Sequence, residues 1–209
     1  MKILIVIAIL AYFAWSYFKP AEVVHLKPGV EAYSEPTQYT VAYAEPFTYK
    51  EHILTPVAEF EIQAKVLRQE PYYLDRASEI SPVDFVLGWR SMSDQEIVDQ
   101  FEFRQNLRWY SWHSETARMR NYEIIGQTAN THLIPANDEV RERIKQVKTG
   151  DIIHLVGKLV NVQGKDGWFW KTSISRHDKG DYSSEIIWVQ DLDIVKTLDL
   201  DKLEETDTL

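Results

Sequence analysis

The chain has 209 residues, with 23 Lys+Arg against 32 Asp+Glu, no cysteine, seven Trp and 44% hydrophobic residues. It is long enough to bury a core and too apolar and aromatic to stay disordered. Without cysteine there is no disulfide, thiolate nucleophile, Cys-ligated zinc, iron–sulfur cluster or lipid-modified cysteine.

Residues 3–18 read ILIVIAILAYFAWSYF, with Lys2 before them and Lys19-Pro20 after. As a helix this stretch covers about 24 Å, close enough to the ~30 Å hydrocarbon layer to cross it with help from the interface. Tyr12, Trp15, Tyr17 and Phe18 gather where an aromatic belt belongs. Cleavage as a signal peptide is the competing reading. Its one small-x-small tripeptide, Ala14-Trp15-Ser16, has Trp in the middle and would leave Tyr17-Phe18 at the new N-terminus, so a retained signal-anchor over 1–20 is preferred. The α-amino group and Lys2 outweigh Lys19, which orients the anchor N-in and C-out, with the rest of the chain outside the cytoplasm.

Pro20, Pro28, Pro36, Pro46 and Pro56 mark residues 21–56 as an extended arm with edge-strand character at best. Its Tyr33, Tyr39, Tyr43, Phe47 and Tyr49 predict packing along the domain surface. A β-rich domain is expected over 57–197. Ala58, Phe60, Ile62, Ala64 and Val66 alternate with Glu59, Glu61, Gln63 and Lys65, the period-two pattern of a strand with one wet face. Ser93-Asp-Gln-Glu96 reads as a capping box for a short helix through Ile97, Val98 and Phe101. Asn137 caps a second helix whose Val140, Ile144 and Val147 share a face before Gly150. Five of the eight glycines then punctuate three strand-like runs, at 151–163, 167–175 and 185–195, read as an antiparallel meander with a bulge or bend at Gly157. The expected fold is mainly β (α+β): a small, partly open antiparallel barrel, OB/SH3-like, with two short helices. Residues 198–209 form a solvated acidic tail, since 191–209 hold seven acids and two lysines.

No histidine pair has metal-ligand spacing, and HExxH, GxSxG, P-loop and GxGxxG motifs are absent, so neither metal nor cofactor is expected. Three segments concentrate interesting side chains. Ser81–Trp89 is a proline-started apolar turn carrying Asp84 and Trp89. Asn106–His113, with Trp109, Tyr110, Trp112 and His113, is followed by Asn130 and His132. Asp166–Arg176 places Trp168 and Trp170 on one face of a strand and Phe169 on the other. These aromatics, with Arg176 to fix orientation, are candidates for docking a ligand or a protein partner, unless they fill a helix–barrel interface. Asp84, Asp166, His113 and His132 are candidates for an acid/base pair in hydrolysis of an envelope glycan or peptide. After Pro20 the net charge is −11, which opposes binding of nucleic acid.

ISPVDFVLGW at 80–89, RWYSW at 108–112, HLIPAN at 132–137 and GDIIHLVGKLV…DGWFWKTSISR…IIWV across 150–189 resemble an uncharacterised family of bacterial envelope-associated proteins. The resemblance spans about residues 50–195 and implies that they form one domain. It supplies no activity, cofactor or catalytic residue. The combined expectation is a membrane-anchored extracytoplasmic binding or assembly module with a protein partner in the envelope, or alternatively an envelope hydrolase.

Overall fold

The computed structural model describes residues 22–175 and 184–196, with Ile7 alone before them. The expected anchor over 3–18, Ile7 excepted, the tail from 198, and Arg176 all lie outside the described residues. No helix among the described residues is long and apolar enough to cross a membrane.

In chain order the strands are β1 (Thr37–Thr40), β2 (Phe47–Tyr49), β3 (His52–Pro71), β4 (Val83–Gly88), β5 (Glu102–Asn106), β6 (Trp109–His113), β7 (Thr128–Pro135), β8 (Ile152–Gly164), β9 (Phe169–Trp170) and β10 (Glu185–Lys196). The helices are α1 (Gln95–Val98), α2 (Asn121–Ile125) and α3 (Asp138–Gln146), joined by 3-10 turns at Arg76–Glu79 and Arg90–Ser93. The fold is mainly β, as expected, and its sheet is partly closed. β3, β4, β7, β10 and β8 pair in that order, and β8 pairs back onto β3. All these contacts are antiparallel except β7 with β10.

The ring is lined by Phe60, Ile62, Phe85, Leu87, Leu133, Leu155, Ile187 and Val189, and α3 adds Val140 and Ile144, with Val147 just beyond its end. Helix α3 begins where the sequence places it, with Asn137 Oδ1 accepting from Val140 N at 2.9 Å. A second cluster on the outside of the ring holds Leu54, Ile134, Val160, Val162 and Ile186, covered by Phe47, Tyr49, Trp168, Trp170 and Trp188. The arm contributes to that cover through β2 and pairs its β1 with β3, while Tyr33, Tyr39 and Tyr43 stay exposed.

Several expectations change. The alternating strand is 20 residues long, and its wet parity fails at Lys65, which is 1% exposed. A register shift between Val66 and Arg68 follows directly, and Leu67 is buried beside it. Ser93 does not cap α1. Its hydroxyl accepts from Ala32 N at 3.0 Å and Glu31 N at 3.1 Å, tying down the arm, and Asp94 caps instead, accepting from Glu96 N at 3.0 Å. The three-strand meander is also incomplete. The run at 167–175 supplies only the two-residue β9, and β10 lies between β8 and β7. The bulge interrupts β10 between Val189 and Asp191, directly across from Gly157. Finally, the apolar turn at 81–89 is strand β4. Both of its faces are covered, so it shows no alternation: Phe85 and Leu87 face the ring, while Val86 packs under an added layer with Leu67, Met92, Phe103 and Ile124.

Candidate functional site

On the outward parity of β4 and β7, opposite Phe85 and Leu133, stand Asp84 and His132, which are cross-strand partners. Both are buried. Asp84 Oδ2 lies 2.8 Å from His132 Nδ1, close enough for an ion pair when the ring is protonated, but off the line of a hydrogen bond. The other carboxylate oxygen, Oδ1, accepts from Arg108 Nη1 at 2.6 Å.

Arg108 comes from the turn of the β5–β6 hairpin, where Leu107 and Arg108 both have positive φ, 50° and 69°. Two left-handed residues in sequence make the turn that matches strand twist, normally an Asn-Gly position. Here its strain is offset by what the guanidinium reaches. Nε and Nη2 donate to the two oxygens of Asp75, each at 2.9 Å, and Nη2 donates to Ser81 O at 2.9 Å. The guanidinium carbon sits 3.9 Å from the centroid of Tyr72 and 5.8 Å from that of Trp170. Burial disfavours the charge, but the Asp75 and Asp84 carboxylates outweigh it and raise the Arg108 pKa further. Burial also works to raise the Asp75 pKa, yet hydrogen bonds from Arg108 prevail and hold that carboxyl below its ordinary range.

The backbone of the turn is held as well. Arg108 N donates to Tyr72 Oη at 3.1 Å, and Asn130 Nδ2 donates to Arg108 O at 2.9 Å. Asn130 Oδ1 accepts from Gln105 at 2.8 Å, and its amide also reaches Ser184 Oγ at 3.2 Å. Trp170 closes the cluster, its ring 4.7 Å from that of His132, and Trp168 lies 5.8 Å further on. Asp84, Asn130, His132 and Trp170 therefore meet: the β4–β7 register sets Asp84 beside His132, and Arg108 touches Asp84, Asn130 and Trp170.

The other candidates stand apart. Trp89 is fully buried within the ring, on the opposite side of the sheet. Asp166 is exposed and ion-paired with Arg76, whose guanidinium stacks 4.8 Å from Trp168. That pairing, helped by the Trp168 amide, lowers the Asp166 pKa to about 2. Tyr110 lies under the hairpin with its hydroxyl 3.0 Å from Thr128 Oγ1, and burial raises its pKa. Trp112 packs edge-on to Phe101 at 6.3 Å, and His113 is exposed at the strand end. Sequence reasoning did not single out Arg108, Asp75, Tyr72 or Ser184. An Asn-Leu-Arg-Trp turn carries none of the Gly signal by which such hairpins are recognised.

Two loops flank this cluster. Tyr73 and Leu74 follow β3 and are 73% and 99% exposed; Leu107 and Trp109 flank Arg108 and are 78% and 47% exposed. The Asp75–Arg108 pair ties the two loops together, so four exposed apolar side chains sit on loops joined by one ion pair. Open cavities of about 680 and 450 Å³ lie elsewhere, and neither is lined by Asp84 or His132. Among the described residues no group of three His, Asp or Glu side chains can hold a metal. Arg108 hydrogen-bonds Asp84, and the Trp170 ring lies against that of His132, so both groups of the pair are engaged by neighbouring side chains. No family profile, no curated protein and no solved structure matches the chain.

Proposed function

We propose that the protein is a single-pass, N-in protein of the bacterial inner membrane that presents an OB-type barrel to the periplasm as a binding or assembly module for a protein partner. The closing order β3-β4-β7-β10-β8 supports the barrel reading. In OB folds ligands are taken on the face of the second and third strands, between the loop joining strands one and two and the loop joining strands four and five. The corresponding parts here are β4 and β7, the loop 72–82, and the loop beginning at 165, and these supply Asp84, His132, Tyr72, Asp75, Trp168 and Trp170. The observation that carries the reading is the exposure of Tyr73, Leu74, Leu107 and Trp109 around a cross-tied, pre-organised base. Apolar side chains held on fixed loops bind a protein surface with little ordering cost. The net charge of −11 after residue 20 argues against nucleic acid as the partner.

Crosslinking in the native membrane tests this. One specific protein should be captured by the wild-type chain and lost from Leu74→Asp and Leu107→Asp, and a C-terminal reporter should behave as periplasmic. Equal capture by all three, or a cytoplasmic reporter, overturns it. A second reading, hydrolysis of an envelope glycan or peptide, is favoured by the 2.8 Å approach of Asp84 to His132 and requires Arg108 to withdraw. Hydrolysis of such a polymer that is abolished by His132→Ala would select it.

A further inference from the structure

The β5–β6 hairpin forms a two-stranded sheet outside the ring, and its two faces differ. The inner face is fixed to the body of the fold. Phe103 and Gln105 are buried, Gln105 Nε2 donates to Asn130 Oδ1 at 2.8 Å, the Tyr110 hydroxyl meets that of Thr128, and Trp112 packs on Phe101. On the outer face the register sets Glu102 opposite His113, Arg104 opposite Ser111 and Asn106 opposite Trp109, and all six residues are exposed. A strand rises about 3.3 Å per residue, so this face runs about 13 Å from Trp109 to His113.

Trp109 is 47% exposed and has no ring or cation contact among the described residues, whereas Trp112, Trp168, Trp170 and Trp188 each lie against another ring. Beside it Arg104 is held by Glu102 in a bidentate pair, Nε to Oε1 at 2.7 Å and Nη2 to Oε2 at 2.9 Å, although both side chains are more than half exposed. The pair fixes donors and acceptors side by side, and its two charges cancel. Asn106, Ser111 and His113 add an amide, a hydroxyl and an imidazole. A solvated hairpin face requires polar side chains, but it does not require an unpartnered indole among them.

This combination discriminates between ligand classes. A protein surface needs contiguous apolar area, and apart from Trp109 the face offers none. A nucleic acid needs net positive charge. A sugar ring matches both parts of the face: its C–H groups, which carry partial positive charge, stack on the negative face of an indole, and each of its hydroxyls both donates and accepts. Sugars linked β-1,4 form flat, extended ribbons, the shape that a two-stranded face accommodates.

We infer that the outer face of the β5–β6 hairpin binds a neutral β-1,4-linked oligosaccharide, with one ring stacked on Trp109 and its neighbours bonded to Asn106, Ser111 and the Glu102–Arg104 pair. The hairpin is pre-organised for this, because its inner face and its Arg108 turn are held in place without the ligand. The polar face is distinct from Leu74 and Leu107, whose substitution tests the protein partner.

Isothermal titration of the full chain in lipid nanodiscs with chitotetraose, the β-1,4-linked tetramer of N-acetylglucosamine, tests the inference. Wild type should give a saturable isotherm. Trp109→Ala and Arg104→Ala should each weaken binding about tenfold, and Trp109→Phe, which keeps an aromatic face, should retain most of it. Added salt should leave the affinity unchanged, because the recognised ligand is neutral. No saturable binding by wild type, equal binding by either alanine variant, or an affinity that falls as salt rises overturns the inference. Leu74→Asp should bind the sugar as wild type does while losing the captured protein, so failure of one reading is read separately from failure of the other.

Discussion

Arg108 Nη1 lies 2.6 Å from Asp84 Oδ1, so a residue at the tip of the separate two-stranded hairpin neutralises a carboxylate buried on the outer face of the main sheet. Removing one partner of a buried pair strands the other charge, which costs more than the pair itself contributes. Arg108→Gln should therefore lower stability by about 3 kcal/mol, and Asp84→Asn added to it should recover much of that loss. Urea unfolding followed by tryptophan fluorescence measures both; a double variant no more stable than the single one would contradict the account.

Arg76 and Asp166 give a pairing of the opposite kind, fully in water. The Asp166 pKa, near 2 in the fold, lies below an ordinary value of ~3.9. A depressed carboxylate stabilises the fold above about pH 4, and that contribution disappears as pH falls through about 2. In a carboxyl-carbon NMR titration, Arg76→Ala should raise the Asp166 midpoint toward ~3.9, the remaining depression coming from the Trp168 amide. An unmoved midpoint would mean the Trp168 amide, not the guanidinium, sets it.

Asp151 behaves in the reverse sense. Its burial raises the carboxyl pKa, and although Oδ2 accepts from Lys148 N at 2.8 Å, Oδ1 is buried without a hydrogen-bond partner. A carboxyl whose pKa is higher folded than unfolded contributes most below the unfolded value, and that contribution is lost as pH rises through the folded one. Asp151→Asn, which resembles the neutral form, should thus stabilise the protein at pH 7 and leave its stability nearly unchanged at pH 3. Thermal unfolding at the two pH values decides.

At Gly157 a Cβ would stand 2.3 Å from the backbone oxygen of Trp188. Only backbone movement relieves that contact, and it falls next to the β10 bulge that closes the ring. Gly157→Ala should cost about 2 kcal/mol. If the variant unfolds at the wild-type urea midpoint, the close approach is not what closes the β8–β10 pair.

Much of the architecture was legible before any coordinates. The alternation from Ala58 to Val66 marked the centre of the longest strand, Asn137 marked the start of α3, and Gly157 marked the place where β10 departs from regular pairing. The sequence missed β4 because periodicity reports one wet face, and β4 has none. It also misread the Ser93 cap, since Ser93 bonds residues 61 and 62 positions away, which no local pattern encodes.

The candidate site divides in the same way. Asp84, Asn130, His132 and Trp170 were visible as residue types suited to a site, and they do converge. The β4–β7 register brings Asp84 to His132, and Arg108, from a left-handed turn, ties them to Tyr72, Asp75 and Ser81, all distant in the chain. By itself the sequence determined the acidic charge, the absence of thiol chemistry and the mainly β character, because these follow from composition and short-range periodicity. Tertiary structure alone decided that Asp166 and His113 stand apart from Asp84, that Arg108 pairs with it, and that β10 lies between β8 and β7. Those outcomes depend on strand register and long-range ion pairing, which act between residues the sequence keeps far apart.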